Sequence, residues 1–145
     1  MTTTDECIFC NIMNGKGEAR RVFENDKVLC ILDIGQLTLD NGNFIPGRCL
    51  AIPKSHVTWF YELEDEEAGQ LFIAAKNLAT KIKHAFNPDF VVTLIRGQRV
   101  PHAHIILQPS INGDAFDEMF QGFGSYFKMA SGQLLDEMAK SLQQA

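Results

Sequence analysis

The sequence predicts an α+β fold, in which five strands form an antiparallel sheet that packs against one long helix, with another helix at the C-terminus. Two pairs of apolar segments are each joined by a turn of only a few residues, which is typical of antiparallel hairpins. A separate segment has apolar residues at helical spacing. Because 145 residues suit one compact core, we expect residues 1–145 to form a single domain.

The predicted strands alternate with segments rich in turn residues. They lie at residues 20–25, 27–34, 48–53, 89–95 and 100–109. Asn25 and Asp26 would form the turn of the first hairpin, and residues 96–99 the turn of the second. Residues 35–47 contain Asn, Gly and Pro and are predicted to form a long loop.

The long helix is predicted to start near Asp65, which would cap it, and to end before Pro88. Its apolar positions define one buried face: Ala68, Leu71, Phe72, Ala75, Leu78, Ala79 and Ile82. A short helical turn is expected at residues 8–13. Apolar residues at helical spacing follow Ser131, a plausible cap for the C-terminal helix.

Composition excludes several classes of function. The formal net charge is −5, whereas proteins that bind nucleic acid non-specifically usually present a basic surface. No apolar run approaches the roughly 18 residues that cross a membrane, and the polar N-terminus lacks the pattern of a signal peptide. We therefore expect a cytoplasmic protein that binds neither nucleic acid nor membrane, with its four cysteines as thiols or metal ligands.

The segment PHAHIILQPS, residues 101–110, places two of the four histidines two positions apart. Alternate side chains of a strand share a face, so His102, His104 and Ile106 are predicted to line up on one side. Neutral imidazoles there can serve as metal ligand, base or nucleophile. A pair of polar residues on a solvated strand face would give the same pattern.

The segment CIFC, residues 7–10, has a spacing that lets two thiolates meet one zinc ion. A redox pair is the alternative, but that motif usually opens a helix after a strand, whereas this one stands at the N-terminus. His56 and His102 are the candidate nitrogen ligands. Cys30 and Cys49 lie within apolar strands, where a free cysteine packs as a small hydrophobic residue.

Together these motifs resemble the histidine triad (HIT) proteins, and in particular their bacterial zinc-containing branch. In the order and approximate spacing of that family, over about residues 7–109, stand CIFCNIMNG, RVFENDKVLCILDI, LAIPKSHV, ELEDEEAGQL and GQRVPHAHIILQP. The resemblance implies a HIT-like fold with a five-stranded antiparallel sheet and a long packed helix, usually paired into a homodimer. Residues 110–145 would be a C-terminal extension of that core.

The resemblance also implies that the chain binds a purine nucleotide and cleaves a phosphoanhydride or phosphoramidate at the α-phosphate. His104 matches the nucleophile that forms a nucleotidyl-histidine, and Gln98 belongs to the phosphate-contacting turn of the same motif. Asp33 matches the acid that binds the ribose hydroxyls. The apolar clamp around the base would comprise residues that simple core packing also explains: Ile8, Phe9, Ile12, Ile31 and Ile34. The zinc ligands of the bacterial branch correspond to Cys7, Cys10, His56 and His102, which implies a closed structural zinc site.

The sequence departs from the family pattern at three places. Ile106 stands where the third histidine would contact phosphate, and an isoleucine cannot donate a hydrogen bond. The loop before the motif is short and lacks an Asn; Arg96 and Arg99 could replace its lost donors, or form a solvated basic turn. Residues 35–47 are several residues longer than usual, and could reach over the pocket or form a surface loop.

Two hypotheses follow. The first is a HIT-type hydrolase or nucleotidyl transferase that uses His104, and the second is a zinc-containing nucleotide-binding protein of the same fold with impaired turnover. His104, Asp33 and Gln98 favour the enzyme, whereas Ile106 and the short loop favour the binding protein. The exact substrate stays open at this point.

Overall fold

The computed structural model describes residues 4–97 and 99–145, and its architecture confirms the predicted α+β fold. The described strands are β1 (Arg21–Glu24), β2 (Val28–Leu32), β3 (Leu37–Thr38), β4 (Phe44–Ile45), β5 (Cys49–Pro53), β6 (Phe90–Leu94) and β7 (Ile105–Ser110). The described helices are α1 (Ile8–Met13), α2 (Asp65–Phe86), α3 (Ala115–Phe123) and α4 (Gly132–Gln144), with 3₁₀ turns at Phe60–Glu62 and Gly124–Tyr126.

The main sheet has five strands in the order β1-β2-β5-β7-β6, and every neighbouring pair is antiparallel. Helix α2 covers one face of this sheet, and the short helix α1 covers part of the other. Strands β2 and β5 are therefore buried on both faces, which explains why VLCIL and CLAIP are continuous apolar runs. In these strands Cys30 and Cys49 are free and buried in the core on the α2 side, as the sequence predicted.

Side chains divide between the two faces with the period of two that strands impose. The core on the α2 side takes Val28, Cys30, Ala51, Ile105 and Leu107 from the sheet, together with buried α2 residues. The core on the α1 side takes Leu29, Ile31, Leu50 and Ile52, packed with Phe9 and Ile12 of α1 and with Ile106. The α1 side is the side on which the candidate functional residues collect.

Helix α2 has the predicted extent, but its predicted cap is wrong. Glu64, not Asp65, occupies the N-cap position, and its side chain makes no capping hydrogen bond. Asp65 instead lies in the first turn with two further acidic residues, where it interacts favourably with the helix dipole. At the other end Asn87 adopts the left-handed conformation with φ of 48°, and the helix stops before Pro88.

The last strand begins later than predicted, at Ile105 rather than at residue 100. In the segment before it, the Ala103 N–H donates to the Val57 carbonyl at 2.7 Å, which draws the backbone away from β6. The pairing of β6 with β7 accordingly ends at Leu94 opposite Ile106. His102 and His104 therefore lie in the irregular connection before β7 rather than in the strand itself.

A small hairpin, one helix and the two 3₁₀ turns were not predicted. The expected loop 35–47 contains a small hairpin, β3 paired with β4, and helix α3 follows the main sheet. Strands β3 and β4 have two residues each, too few for an alternating pattern. Helix α3 has only nine residues, and none of them is buried in the core. The C-terminal helix was predicted correctly, and the Ser131 hydroxyl caps it by accepting from the Leu134 N–H.

No helix in residues 4–97 and 99–145 is long and apolar enough to cross a membrane.

Candidate functional site

Four potential metal ligands converge on the α1 side of the sheet. Cys7 precedes α1 and Cys10 lies within it, His56 follows β5, and His102 stands in the connection before β7. Their ligand atoms all lie within 4.8 Å of one another. Cys7, Cys10 and His102 are buried, and His56 is partly buried. Three chain segments far apart in sequence thus supply one donor cluster.

Four of the six separations between these donors lie close to those of a tetrahedral metal site. The His56 and His102 Nδ1 atoms are 3.2 Å apart, and the Cys10 Sγ lies 3.2 Å from His56 Nδ1 and 3.6 Å from His102 Nδ1. The Cys7 Sγ lies 3.4 Å from His102 Nδ1. Tetrahedral zinc bonds of about 2.0–2.3 Å require donor separations of roughly 3.3–3.8 Å. Two sulfurs with two imidazole nitrogens are also a ligand set that zinc prefers.

Protonation at the cluster also suits a bound cation. Because His102 Nε2 is 2.7 Å from the Pro53 carbonyl, it carries the proton, and Nδ1 keeps its lone pair for a metal. Burial lowers the pKa of His102, which favours this neutral form. Burial and then the neighbouring Cys7 raise the pKa of Cys10 to about 11. A metal cation would compensate the negative charge that this environment otherwise disfavours.

His104 is held in one tautomer beside this cluster. Its Nδ1 donates to the His102 carbonyl at 2.8 Å, so in the neutral ring the lone pair is on Nε2. The ring is buried, with only 8% exposed, and the Phe9 ring meets it edge-on at 5.2 Å between centroids. The same Phe9 ring contacts His102 at 5.8 Å. Helix α1 therefore packs against both histidines.

A cavity of about 750 Å³ opens next to His104. This volume falls within the range of small-molecule sites. The structure brings together at its wall the residues that the sequence suggested for nucleotide binding: Ile8, Phe9, Ile12, Ile31, Asp33, Ile34 and Arg99. Gln98, the second candidate catalytic residue, lies outside the described residues.

The cavity wall also contains residues that sequence analysis did not assign to the site. They include Arg20, Arg48, Leu50, Val100 and Phe116. Arg20 immediately precedes β1, which pairs with β2, and β2 contributes Ile31 to the cavity wall. The predicted first hairpin could therefore have suggested Arg20 as a site residue. Phe116 belongs to α3, so the segment after the sheet reaches the cavity although the family resemblance ended before it.

Ile106 lines the cavity together with His104. It is followed on the same face of β7 by Gln108, because alternate residues of a strand share a face. Arg96 and Arg99 also border the cavity, from the connection between β6 and β7. The cavity wall thus combines the apolar side chain of Ile106 with basic side chains that can interact with an anionic ligand.

Comparison with known proteins identifies relatives of this chain. Residues 14–109 match the family model of the HIT domain. The protein Hit of Bacillus subtilis is 34% identical over 134 residues, which cover 88% of each chain. The crystal structure of a HIT family member from B. subtilis has a TM-score of 0.77 to this chain at 32% identity and covers 95% of both.

Two further solved structures bear on the site. A hypothetical histidine triad nucleotide-binding protein from Sulfolobus tokodaii is 30% identical with a TM-score of 0.65, over 74% of this chain and 71% of that one. A zinc-bound histidine triad protein from Mycobacterium smegmatis is 26% identical with a TM-score of 0.65, over 78% of this chain and 81% of that one. Both similarities extend over about three quarters of this chain.

Proposed function

Because the chain belongs to the HIT family, we propose that it is a nucleotide hydrolase or nucleotidyl transferase with His104 as its nucleophile. It would cleave a phosphoanhydride or phosphoramidate at the α-phosphate of a purine nucleotide. The observation that carries the proposal is the hydrogen bond from His104 Nδ1 to the His102 carbonyl. In the neutral ring that bond places the nucleophilic lone pair on Nε2, and His104 is a residue of the cavity wall.

The reaction would proceed in two steps. His104 Nε2 attacks the α-phosphorus, and a nitrogen–phosphorus bond forms as the bond to the leaving group breaks, with its electron pair departing on that group. Water then attacks the same phosphorus and releases the nucleoside monophosphate and the imidazole. Another nucleophile in place of water would give nucleotidyl transfer. In both steps a basic residue of the cavity such as Arg99 would stabilise the negative charge on the phosphate oxygens.

The remaining cavity residues would orient the nucleotide. The Asp33 carboxylate would accept hydrogen bonds from the ribose hydroxyls, and Arg99 would bind phosphate oxygens. The purine would pack between apolar side chains of α1 (Ile8, Phe9 and Ile12) on one side and Ile31 of β2 with Ile34 just after it on the other. Gln98 would assist at the phosphate, in keeping with its place in the family motif.

We propose that Cys7, Cys10, His56 and His102 hold one structural zinc ion. When bound, zinc would supply a cross-link between segments rather than a reactive group, since four protein donors complete a tetrahedral shell. This cross-link would join α1, which supplies Phe9 to the cavity, to the connection whose carbonyl orients His104. The donor distances and the zinc-bound M. smegmatis relative support the assignment.

The second candidate function is nucleotide binding with impaired turnover. Ile106 favours it, because this side chain lines the cavity beside His104 and cannot donate to a phosphate oxygen. Removing one donor that stabilises transition-state charge typically costs about a hundredfold to a thousandfold in rate. The two candidates share the pocket and the zinc site and differ only in chemistry.

Trapping tests the enzyme hypothesis. Full-length protein would be incubated with adenosine phosphoramidate labelled at phosphorus, quenched, and analysed for a covalent adduct by mass spectrometry. We expect an adduct on His104 in the wild type and none in His104→Ala. Turnover that survives in His104→Ala would exclude the covalent mechanism, and binding without adduct or turnover in the wild type would favour the second candidate.

We also propose that the chain forms a homodimer, as the family resemblance implies. Support comes from the C-terminal segment, whose large apolar side chains are exposed along α3 and α4. A monomeric protein seldom leaves so many apolar residues of one segment in water.

A further inference from the structure

Arg48 links the carboxylate of Asp33, which lines the cavity, to the buried side chain of Gln108 on β7. Its Nε donates to Asp33 Oδ2 at 2.8 Å, and its second guanidinium nitrogen donates to Gln108 Oε1 at 2.9 Å. Asp33 and Arg48 both line the cavity, with 19% and 29% of their side chains exposed. One planar side chain thus holds two partners that lie 15 and 60 residues away along the chain.

The inner end of this link is rigid. Gln108 is fully buried on β7, and its Nε2 donates to the Pro109 carbonyl at 2.6 Å. Its Oε1 is therefore turned toward Arg48 and accepts from the guanidinium. A buried amide with both ends satisfied fixes the guanidinium plane, since the geometry of an arginine fork tolerates little rotation.

The outer end is fixed by the backbone around it. The Asp33 N–H donates to the Arg48 carbonyl at 2.9 Å, which continues the pairing of β2 with β5 by one residue. The Gln36 side chain joins the same two segments: it donates to the Asp33 and Arg48 carbonyls and accepts from the Gly47 and Arg48 N–H groups. Asp33 and Arg48 are thereby held opposite each other at the mouth of the hairpin insertion.

We propose that Arg48 is a positioning residue for ribose recognition: it holds the Asp33 carboxylate in the orientation that accepts both ribose hydroxyls. This inference rests on the proposed function, in which Asp33 binds the ribose. An ionised carboxylate has about four lone-pair sites. The Gly35 N–H occupies one at 2.9 Å and Arg48 Nε another, which leaves two sites for two hydroxyls. Without Arg48 the carboxylate can rotate, and its free sites no longer coincide with the diol.

The test is a comparison of two ligands in four full-length proteins by isothermal titration calorimetry. The ligands are adenosine monophosphate and its dideoxy analogue, which lacks both ribose hydroxyls. The proteins are the wild type, Arg48→Ala, Arg48→Lys and the control Lys54→Ala. Lys54 pairs with Glu24 and is absent from the cavity wall, so the control removes one positive charge and one ion pair elsewhere.

The measured quantity is the ratio of the two dissociation constants. The wild type and Lys54→Ala should prefer the ribonucleotide by about 10- to 100-fold, as expected for hydroxyls that otherwise lose their partners. Arg48→Ala should reduce this preference to about threefold or less. Arg48→Lys should give an intermediate ratio, because an ammonium keeps the charge but cannot hold Asp33 and Gln108 in one plane.

The outcomes separate this inference from its premise. Equal weakening of both ligands in Arg48→Ala, with the preference kept, would assign Arg48 a structural role and overturn the inference while ribose binding stands. A wild type without preference would overturn ribose recognition by Asp33 itself, and the inference with it. If Arg48→Ala does not fold, Arg48→Lys decides by the same ratio, and a wild-type ratio in that variant would contradict positioning by the fork.

Discussion

At the scale of single residues, Ile106 is the position that most directly limits the proposed chemistry. It shares the cavity wall with His104 but offers no donor. If the third phosphate contact was simply lost, Ile106→His should raise the single-turnover rate on adenosine phosphoramidate by about a hundredfold to a thousandfold. Rapid-quench measurement of the bound substrate gives this rate without contributions from product release.

If an arginine replaced the contact, the same substitution should gain little, and Arg99→Ala should slow the reaction instead by a similar factor. Ile106→Leu is the control, because it keeps an apolar side chain of similar volume and should react at the wild-type rate. Faster reaction in Ile106→Leu would show that cavity shape, rather than a missing donor, limits the rate.

Cys10 is the residue at which metal binding and stability meet. Cys10→Ser should release zinc and lower the unfolding temperature, because binding energy at a structural zinc site contributes directly to folding. Metal content by mass spectrometry and thermal denaturation followed by circular dichroism measure the two effects.

Cys30→Ala is the matched control for Cys10→Ser. This thiol is buried in the core on the α2 side, and burial raises its pKa to about 11, so it stays protonated. The variant should lose some packing energy but retain zinc. Wild-type protein that carries no zinc after preparation in zinc-containing medium would contradict the proposed metal site.

At the scale of elements, accuracy of sequence prediction followed the strength of local patterns. Helix α2 was correct in extent because its apolar face repeats over six turns and Pro88 terminates it. The start of β7 was not, because a hydrogen bond from Ala103 to Val57 redirects the chain, and that contact spans 46 residues. The extent of a strand depends on its partners, which a single segment does not contain.

The same reasoning applies to the site. The family resemblance suggested Asp33 and five apolar residues for nucleotide binding, and the structure brings these residues to one cavity. Arg48 was missed because its importance arises only when β2, β5 and β7 are paired, and its partners Asp33 and Gln108 become neighbours. Contacts set by the register of the sheet are therefore the part of the site that sequence alone does not specify.

Helix α3 depends on a single buried acid at its start. The Asp114 side chain accepts from the Asp117 and Ile111 N–H groups and from the Ser110 hydroxyl. Burial alone would raise the pKa of Asp114, but these hydrogen bonds outweigh it and lower the pKa below its ordinary value of 3.8. We expect Asp114→Ala to reduce the free energy of unfolding by about 1–2 kcal/mol at neutral pH.

The contribution of Asp114 to the free energy of unfolding should depend on pH. Because the folded pKa is the lower one, the contribution of Asp114 is complete above pH 3.8 and is lost as the pH falls through the folded pKa. Urea denaturation of wild type and Asp114→Ala at neutral and strongly acidic pH should therefore show a stability difference that shrinks only in acid. Asp136→Ala, an exposed acid on α4, should show little difference at either pH. A difference that is independent of pH would indicate that the charge of Asp114 does not matter.

At the scale of the whole molecule, the chain exposes more surface than a monomer of its mass should. Its accessible surface is 9879 Å² for 16.2 kDa, whereas a folded monomer of that mass exposes roughly 7,500 Å². The C-terminal segment contains ten large exposed apolar residues, namely Met119, Phe120, Phe123, Tyr126, Phe127, Met129, Leu134, Leu135, Met138 and Leu142. Two copies that covered this excess would bury roughly 4,800 Å², within the range of obligate homodimers.

Helix α4 offers the sharpest test of the proposed dimer. Leu134, Leu135, Met138 and Leu142 share one face at helical spacing and are all exposed. If that face meets a second copy, Met138→Glu places an unpaired carboxylate in the interface, and twofold symmetry places it there twice. We expect dimerisation to weaken by at least about a hundredfold, because burying an uncompensated charge costs several kcal/mol.

Gln143→Glu adds the same charge to α4 outside the apolar set and should leave the dimer intact. Sedimentation equilibrium of the full-length proteins measures both, with nucleotide affinity as the check on folding. A monomeric wild type at micromolar concentration, or a Met138→Glu dimer as tight as the wild type, would show that this face does not hold two copies together.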